Sequence, residues 1–248
     1  MAITVNKQRL LNHLFVAARK ADGEATRKAA ATGLGEDEPR PVLEQFIYGL
    51  CRQQATPEQA ERAYRQLRER FFDWNEVRVS SVRELEEIFE GMSDPEARAQ
   101  RVIAFLQEVF ETTFSFDLEG LQKKGLKQAA KQLGRYQAAD DYVTSWVVQR
   151  SLGGHAIPLD PPTLRCVRRL GLIDSGTDDL ETIRSSLEHL IPKAKGAQFT
   201  DLVSNVAQEC CWEDEPQCPT CPLAGECATA LEAGVESVTA RAHRPKPR

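Results

Sequence analysis

Four cysteines crowd a 17-residue stretch near the C-terminal end, with the spacing Cys211-x6-Cys218-x2-Cys221-x5-Cys227. Two ligands three positions apart grip one centre from a tight turn, and Pro219 and Pro222 keep that turn from continuing as helix. Four thiolates in so short a loop suit tetrahedral zinc or a cubane iron–sulfur cluster, and spacing alone chooses neither. Left unliganded, they would be a reactive liability. The other three, Cys51, Cys166 and Cys210, sit in apolar or mixed helical settings and read as small core residues. The first twenty residues read as an amphipathic helix closed by Arg19 and Lys20, and a secretory leader is not expected. Clustered thiols without an export signal point to a reducing compartment, so a cytoplasmic protein is expected, nucleoid-associated if bacterial.

A loop of this kind needs a scaffold, and the rest of the chain supplies helices. Apolar residues recur at three- and four-residue intervals and alternating strand patterns are missing, so the fold class is all-α. Residues 57–71 show the pattern: Ala60, Ala63, Tyr64, Leu67 and Phe71 make one stripe. Thr56-Pro57-Glu58-Gln59 gives that helix a cap, a first-turn proline and a capping-box glutamine. Ser81-Val82-Arg83-Glu84 announces another. Further helices are expected near 6–20, 41–53, 98–113, 123–133, 141–152, 161–170, 178–190 and 198–210. The polar stretch Gly23 to Pro41 and the segment Leu152-Gly153-Gly154-His155-Ala156-Ile157-Pro158 look like linkers. They bound a central helical domain over 41–154. Residues 1–40 and 155–235 then form a second, discontinuous domain that carries the cysteines, and 236–248 is a basic tail. No apolar run approaches a membrane span.

A net charge of −5 speaks against a protein that coats nucleic acid by charge alone. Local basic surface remains at Arg165, Arg168 and Arg169, and in the tail at Arg241, Arg244, Lys246 and Arg248. Runs of this kind are equally the solvated face of a helix or a disordered end.

The cysteine spacing resembles the C-terminal cluster loop of the endonuclease III branch of the helix-hairpin-helix DNA glycosylases. That resemblance implies a 4Fe-4S cluster on Cys211, Cys218, Cys221 and Cys227, ahead of zinc. Only Cys211, not the adjacent Cys210, gives the six-residue gap that the family uses. The likeness extends over roughly residues 41 to 230 and implies a two-domain endonuclease III-like fold, a helical barrel domain beside a cluster domain.

Motif by motif, the resemblance suggests an active site. Gln54, in Leu50-Cys51-Arg52-Gln53-Gln54-Ala55-Thr56, matches a glutamine that faces the lesion strand; the plainer reading is helix termination before Thr56. Ser151 to Asp160 resembles the segment leading to the family's catalytic aspartate. A carboxylate suits the chemistry: breaking the base–sugar bond of a flipped nucleotide builds positive charge at the anomeric carbon, which a nearby anion stabilises while it orients water. Asp160 before Pro161-Pro162 is also a good helix cap, and both roles can hold together.

Bifunctional members carry a lysine eighteen positions before the aspartate. Here that position is Tyr142, so a covalent imine is unavailable and lyase chemistry is not expected. Tyrosine resembles monofunctional relatives in which water attacks, although a half-buried aromatic at a helix start reads the same. The family's hairpin signature, Leu-Pro-Gly-x-Gly, brings backbone amides close to a DNA phosphate. The ungapped alignment gives Tyr136-Gln137-Ala138-Ala139-Asp140 instead, and Asp140 would repel a phosphate. An alignment shifted to Leu133-Gly134-Arg135-Tyr136 recovers one glycine and a basic residue. Candidate DNA contacts are accordingly Gln54, Arg135, Tyr136 and Arg165, with Asp160 and Tyr142 at the reacting centre.

Two functions compete. One is a monomeric, monofunctional glycosylase that hydrolyses the N-glycosidic bond of a damaged or mismatched base in double-stranded DNA. The other is a non-catalytic DNA- or partner-binding module derived from the same fold, which the acidic balance and the altered hairpin favour. A bifunctional lyase would require another amine, such as Lys131.

Overall fold

The computed structural model describes residues 5–16, 40–174 and 176–235. The Gly23 to Pro41 linker, almost in its entirety, and the four basic tail residues lie outside them. Among the described residues every regular element is helical, and no helix is long and apolar enough to cross a membrane. The helices are α1 (7–16), α2 (Val42–Arg52), α3 (Pro57–Arg70), α4 (Trp74–Val79), α5 (Val82–Glu86) and α6 (Pro95–Thr113). After these come α7 (Leu126–Leu133), α8 (Asp141–Arg150), α9 (Pro161–Arg169), α10 (Leu180–Leu190), α11 (Gly196–Glu209) and α12 (Ala228–Glu232). The chain divides into two compact units, Pro39–Asp160 and the discontinuous pair Met1–Glu38 with Pro161–Arg248.

Local chemistry starts these helices where the sequence places its caps. The Thr56 hydroxyl accepts from the Gln59 amide while the Gln59 side chain returns to the Thr56 amide, so the capping box at α3 is complete. Ser81 and Glu84 do the same for α5. The helices α4 and α12 are six and five residues long, too short to show a helical period in the sequence. A cap nonetheless marks α4, since the Asp73 carboxylate accepts from the Glu76 amide at 2.8 Å.

Within the unit Pro39–Asp160, α2 is the central element and packs against α3 and α8, while α4 and α5 lie on α6. Val42, Leu43, Phe46, Ile47, Leu50 and Cys51 of α2 are all buried, the stripe expected of an inward face. Phe46 stacks on Phe105 of α6 with centroids 3.7 Å apart, and Tyr136 sets its edge against both rings. Each buried aromatic of this kind contributes roughly 1.5–3 kcal/mol.

The connection from α8 to Asp160 has no regular structure and is buried over 156–160. Gly154 begins it. Its amide donates to the Val148 carbonyl at 2.8 Å, and a Cβ there would stand 2.4 Å from Val148 Cγ1 and 3.0 Å from Leu126 Cδ1. Valine has little rotamer freedom with which to yield. Gly154→Ala is therefore expected to lower stability by about 1–3 kcal/mol in urea melts, through overpacking rather than backbone strain.

In the other unit α9 packs on α11, and Leu10, Leu11, Leu14 and Phe15 give α1 its buried face. Lys7 pairs with Asp174 at 3.0 Å and Arg9 with Glu226 at 3.5 Å, and His13 Nδ1 hydrogen-bonds Glu226 at 2.5 Å, so α1 is tied to later segments. The last two hold the residue just before Cys227.

Candidate functional site

Asp160 closes the unit Pro39–Asp160, and the residue is only 2 % exposed. Its Oδ2 accepts the backbone N–H of Gln54 at 2.7 Å, across 106 positions of sequence. Gln54 has φ +53°, the left-handed region that side chains avoid, and follows the end of α2. Backbone in this state persists only where its surroundings fix it.

Arg98 on α6 does much of that fixing. It is buried, and it donates to the carbonyls of Leu50 at 2.6 Å, Cys51 at 3.4 Å and Gln53, with Ser93 accepting further N–H groups. One guanidinium thus satisfies several of the carbonyls that the end of α2 leaves open. Burial lowers the Arg98 pKa. Arg52 adds a bond to the Ala55 carbonyl. The strain at Gln54 gives a test. Gln54→Gly should be near neutral or stabilising, while Gln54→Val, which tolerates a positive φ least, should cost at least about 1 kcal/mol more in thermal melts.

Tyr142 lies in the first turn of α8, 2 % exposed, its ring stacked on Trp146 with centroids 6.1 Å apart. Asp160, Gln54 and Tyr142 thus belong to one compact unit, the first two in direct contact. Arg135 is exposed in the turn before α8. Tyr136, expected among the DNA contacts, is instead buried against Phe46 and Phe105, and burial raises its pKa. Its ring belongs to the core, as the neighbouring aromatics of α2 and α6 require.

The hairpin between α7 and α8 contains no residue with positive φ, so its geometry does not call for glycine. Asp140 caps α8 through Oδ1, which accepts the Val143 amide at 2.9 Å. The amide-rich helix start that could receive an anion has a carboxylate of its own.

In the other unit, one small, almost wholly apolar pocket is lined by Cys166, Cys210, Cys211, Cys218, Cys221 and Cys227. Cys166 and Cys210, read from sequence as core residues, are on its wall; Cys166 is buried as expected, and it lines the same pocket as Cys211. Cys218 and Cys221 sit on the expected tight turn, where the Cys221 amide donates to the Gln217 and Cys218 carbonyls at 3.1 and 3.2 Å. Arg165, expected at DNA, donates to the Cys211 carbonyl at 2.9 Å. Arg169 reaches Cys211 Sγ at 3.7 Å and the Glu213 carbonyl at 2.8 Å. Its neighbourhood acidifies Cys211: the neighbouring Cys166 thiol, then Arg169 and Arg165, hold that thiol below its usual range. Burial pushes Cys221 up to about 12 and raises Cys227.

Four cysteines around one pocket have the donor chemistry that an iron–sulfur cluster uses. Among the described residues no three His, Cys, Asp or Glu side chains converge on one ion position.

No family profile matches the chain. It is 26 % identical over 117 residues to an endonuclease III homolog from Encephalitozoon cuniculi (strain GB-M1), covering 46 % of this chain and 47 % of the relative. The chain therefore matches about half the length of that curated relative. Its fold is similar to endonuclease III in a trapped covalent intermediate with DNA, at TM-score 0.64 and 19 % identity, covering 93 % of this chain and 100 % of the other. The chain has an endonuclease III-like fold. A non-covalent endonuclease III–DNA complex gives TM-score 0.63 at 17 % identity, covering 94 % of this chain and 100 % of that one. A thermostable thymine-DNA glycosylase gives 0.55 at 13 %, covering 78 % and 86 %. At these identities the structural likeness shows the fold alone.

Proposed function

We propose that the chain is a monofunctional DNA glycosylase that hydrolyses the N-glycosidic bond of a damaged or mismatched base in duplex DNA, with Asp160 as the acting carboxylate. The observation that carries this reading is the Asp160 carboxylate, in a residue buried to 2 % exposure and oriented by the Gln54 N–H. In a glycosylase fold such an anion has a task. It faces the cationic sugar that forms as the base leaves, and it directs water to the anomeric carbon. The Gln54 bond fixes the direction in which that charge is presented. Tyr142 holds the place of the amine that a lyase would need, and a phenol forms no imine with the sugar.

Cys211, Cys218, Cys221 and Cys227 are proposed to hold a 4Fe-4S cluster, supported by their shared pocket and by the superfamily's spacing. When bound, the cluster would serve as a structural brace for this loop. With all four cysteines committed as ligands, no iron is left open for substrate.

The acidic hairpin favours a second reading, a binding module that recognises altered DNA or another partner without turnover. Product analysis separates the two. The first reading expects free base and an intact abasic strand, with no borohydride-trapped adduct. The second expects binding alone.

A further inference from the structure

Arg101 lies one turn after Arg98 on α6 and reaches two segments at once. Its Nη1 donates to Gln53 Oε1 at 2.7 Å, and its Nη2 to Asp140 Oδ2 at 2.9 Å. Nε and Nη2 also donate to the Ala138 carbonyl, at 3.2 and 2.8 Å. Gln53 Nε2 closes the ring by donating to the same Asp140 oxygen at 2.7 Å. The other Asp140 oxygen caps α8, two residues before Tyr142 starts its inward turn.

The ring of Arg101, Gln53 and Asp140 therefore fastens the hairpin to the residue immediately before the strained one. Gln53 is held at both ends, its carbonyl by Arg98 and its side chain by Arg101. The next residue, Gln54, takes its left-handed turn with its N–H on Asp160. We infer that Arg101 is a positioning residue: through Gln53 and Asp140 it sets the Gln54 N–H on the Asp160 carboxylate, and it makes the hairpin part of the catalytic scaffold. The pair is partly exposed, with side chains 30 % and 39 % accessible, so its worth lies in geometry more than in Coulomb attraction. The inference rests on the glycosylase reading only for its effect on rate.

The test is the Gln54 amide itself, followed by hydrogen exchange and its proton resonance in the full chain. An N–H donated to a buried carboxylate exchanges slowly and resonates downfield. Arg101→Gln is expected to speed Gln54 exchange by about tenfold or more, with core amides of α6 and α8 unchanged. Arg101→Lys should recover part of the protection, since an ammonium can reach one partner but not both in fork geometry. Asp140→Asn keeps the helix cap and removes the charge, so it should give an intermediate rate and decides the matter should Arg101→Gln fail to fold. Base release in the variants should fall through kcat with KM held. Gln54 exchange at the parent rate in both Arg101→Gln and Asp140→Asn would overturn the inference. Faster exchange in a chain that releases no base would support the geometry and count against the glycosylase reading instead.

Discussion

Asp160→Asn is expected to cut base release by on the order of a hundredfold or more while leaving the melting temperature nearly unchanged. Asparagine matches aspartate in shape, and its carbonyl can still accept the Gln54 N–H that the carboxylate accepts at 2.7 Å. What it lacks is charge. An oxocarbenium-like sugar loses its counter-ion, and the attacking water loses a base. The substitution also separates the two roles that the sequence allows. As a helix cap asparagine equals aspartate, so a purely structural Asp160 predicts no loss in either measurement. Single-turnover release with DNA bound keeps affinity out of the comparison.

The second large effect is expected at the cysteine pocket. Cys218→Ala or Cys221→Ala should remove iron and sulfide together and lower the melting temperature by about 10 °C or more. A centre bound only in the folded state adds its binding energy to stability. Cys166→Ala and Cys210→Ala should keep the visible absorption and the iron, because the proposed ligands do not include them. Comparing Cys210→Ala with Cys211→Ala resolves which of the adjacent thiols is the first ligand. The Arg169 guanidinium, 3.7 Å from Cys211 Sγ, favours a thiolate there. Iron retained in Cys211→Ala and lost in Cys210→Ala would reverse the assignment.

These sites were legible in the sequence to different degrees, for physical reasons. Helix starts such as Thr56 to Gln59 and Ser81 to Glu84 write their chemistry within four residues, and the structure closes both capping boxes. The tight turn at Cys218 and Cys221 is similarly local. The roles of Arg98 and Arg101 have no local signature, because Arg98 reaches carbonyls 45 to 48 positions earlier in the chain and Arg101 reaches Gln53, 48 positions earlier, and Asp140, 39 positions later. Nothing in the sequence distinguishes such an arginine from one on a solvated helix face. Cys166 stands 45 positions before Cys211, and its place on the pocket wall depends on α9 packing against α11. Tyr136 shows the converse. Its position beside a hairpin suggested a DNA contact, but the Phe46–Phe105 stack offered an apolar seat that took the ring inward.

The hairpin changes how DNA binding is to be pictured. Its acidic residue is not a stray charge but a helix cap and a member of the Arg101 ring. Glycines would have left amides open to a phosphate; Asp140 occupies one of them internally. Under the proposed function, the electrostatic grip on DNA must come largely from other basic surface, with Arg135 a candidate.

The central claim meets its most direct test in release of free base by iron-replete protein. Duplexes carrying uracil, thymine mismatched with guanine, oxidised pyrimidines, or adenine opposite oxidised guanine form the panel. Turnover on at least one of them, lost in Asp160→Asn and without a borohydride-trapped adduct, is the predicted result; no release from any duplex by protein with its cluster intact would contradict it.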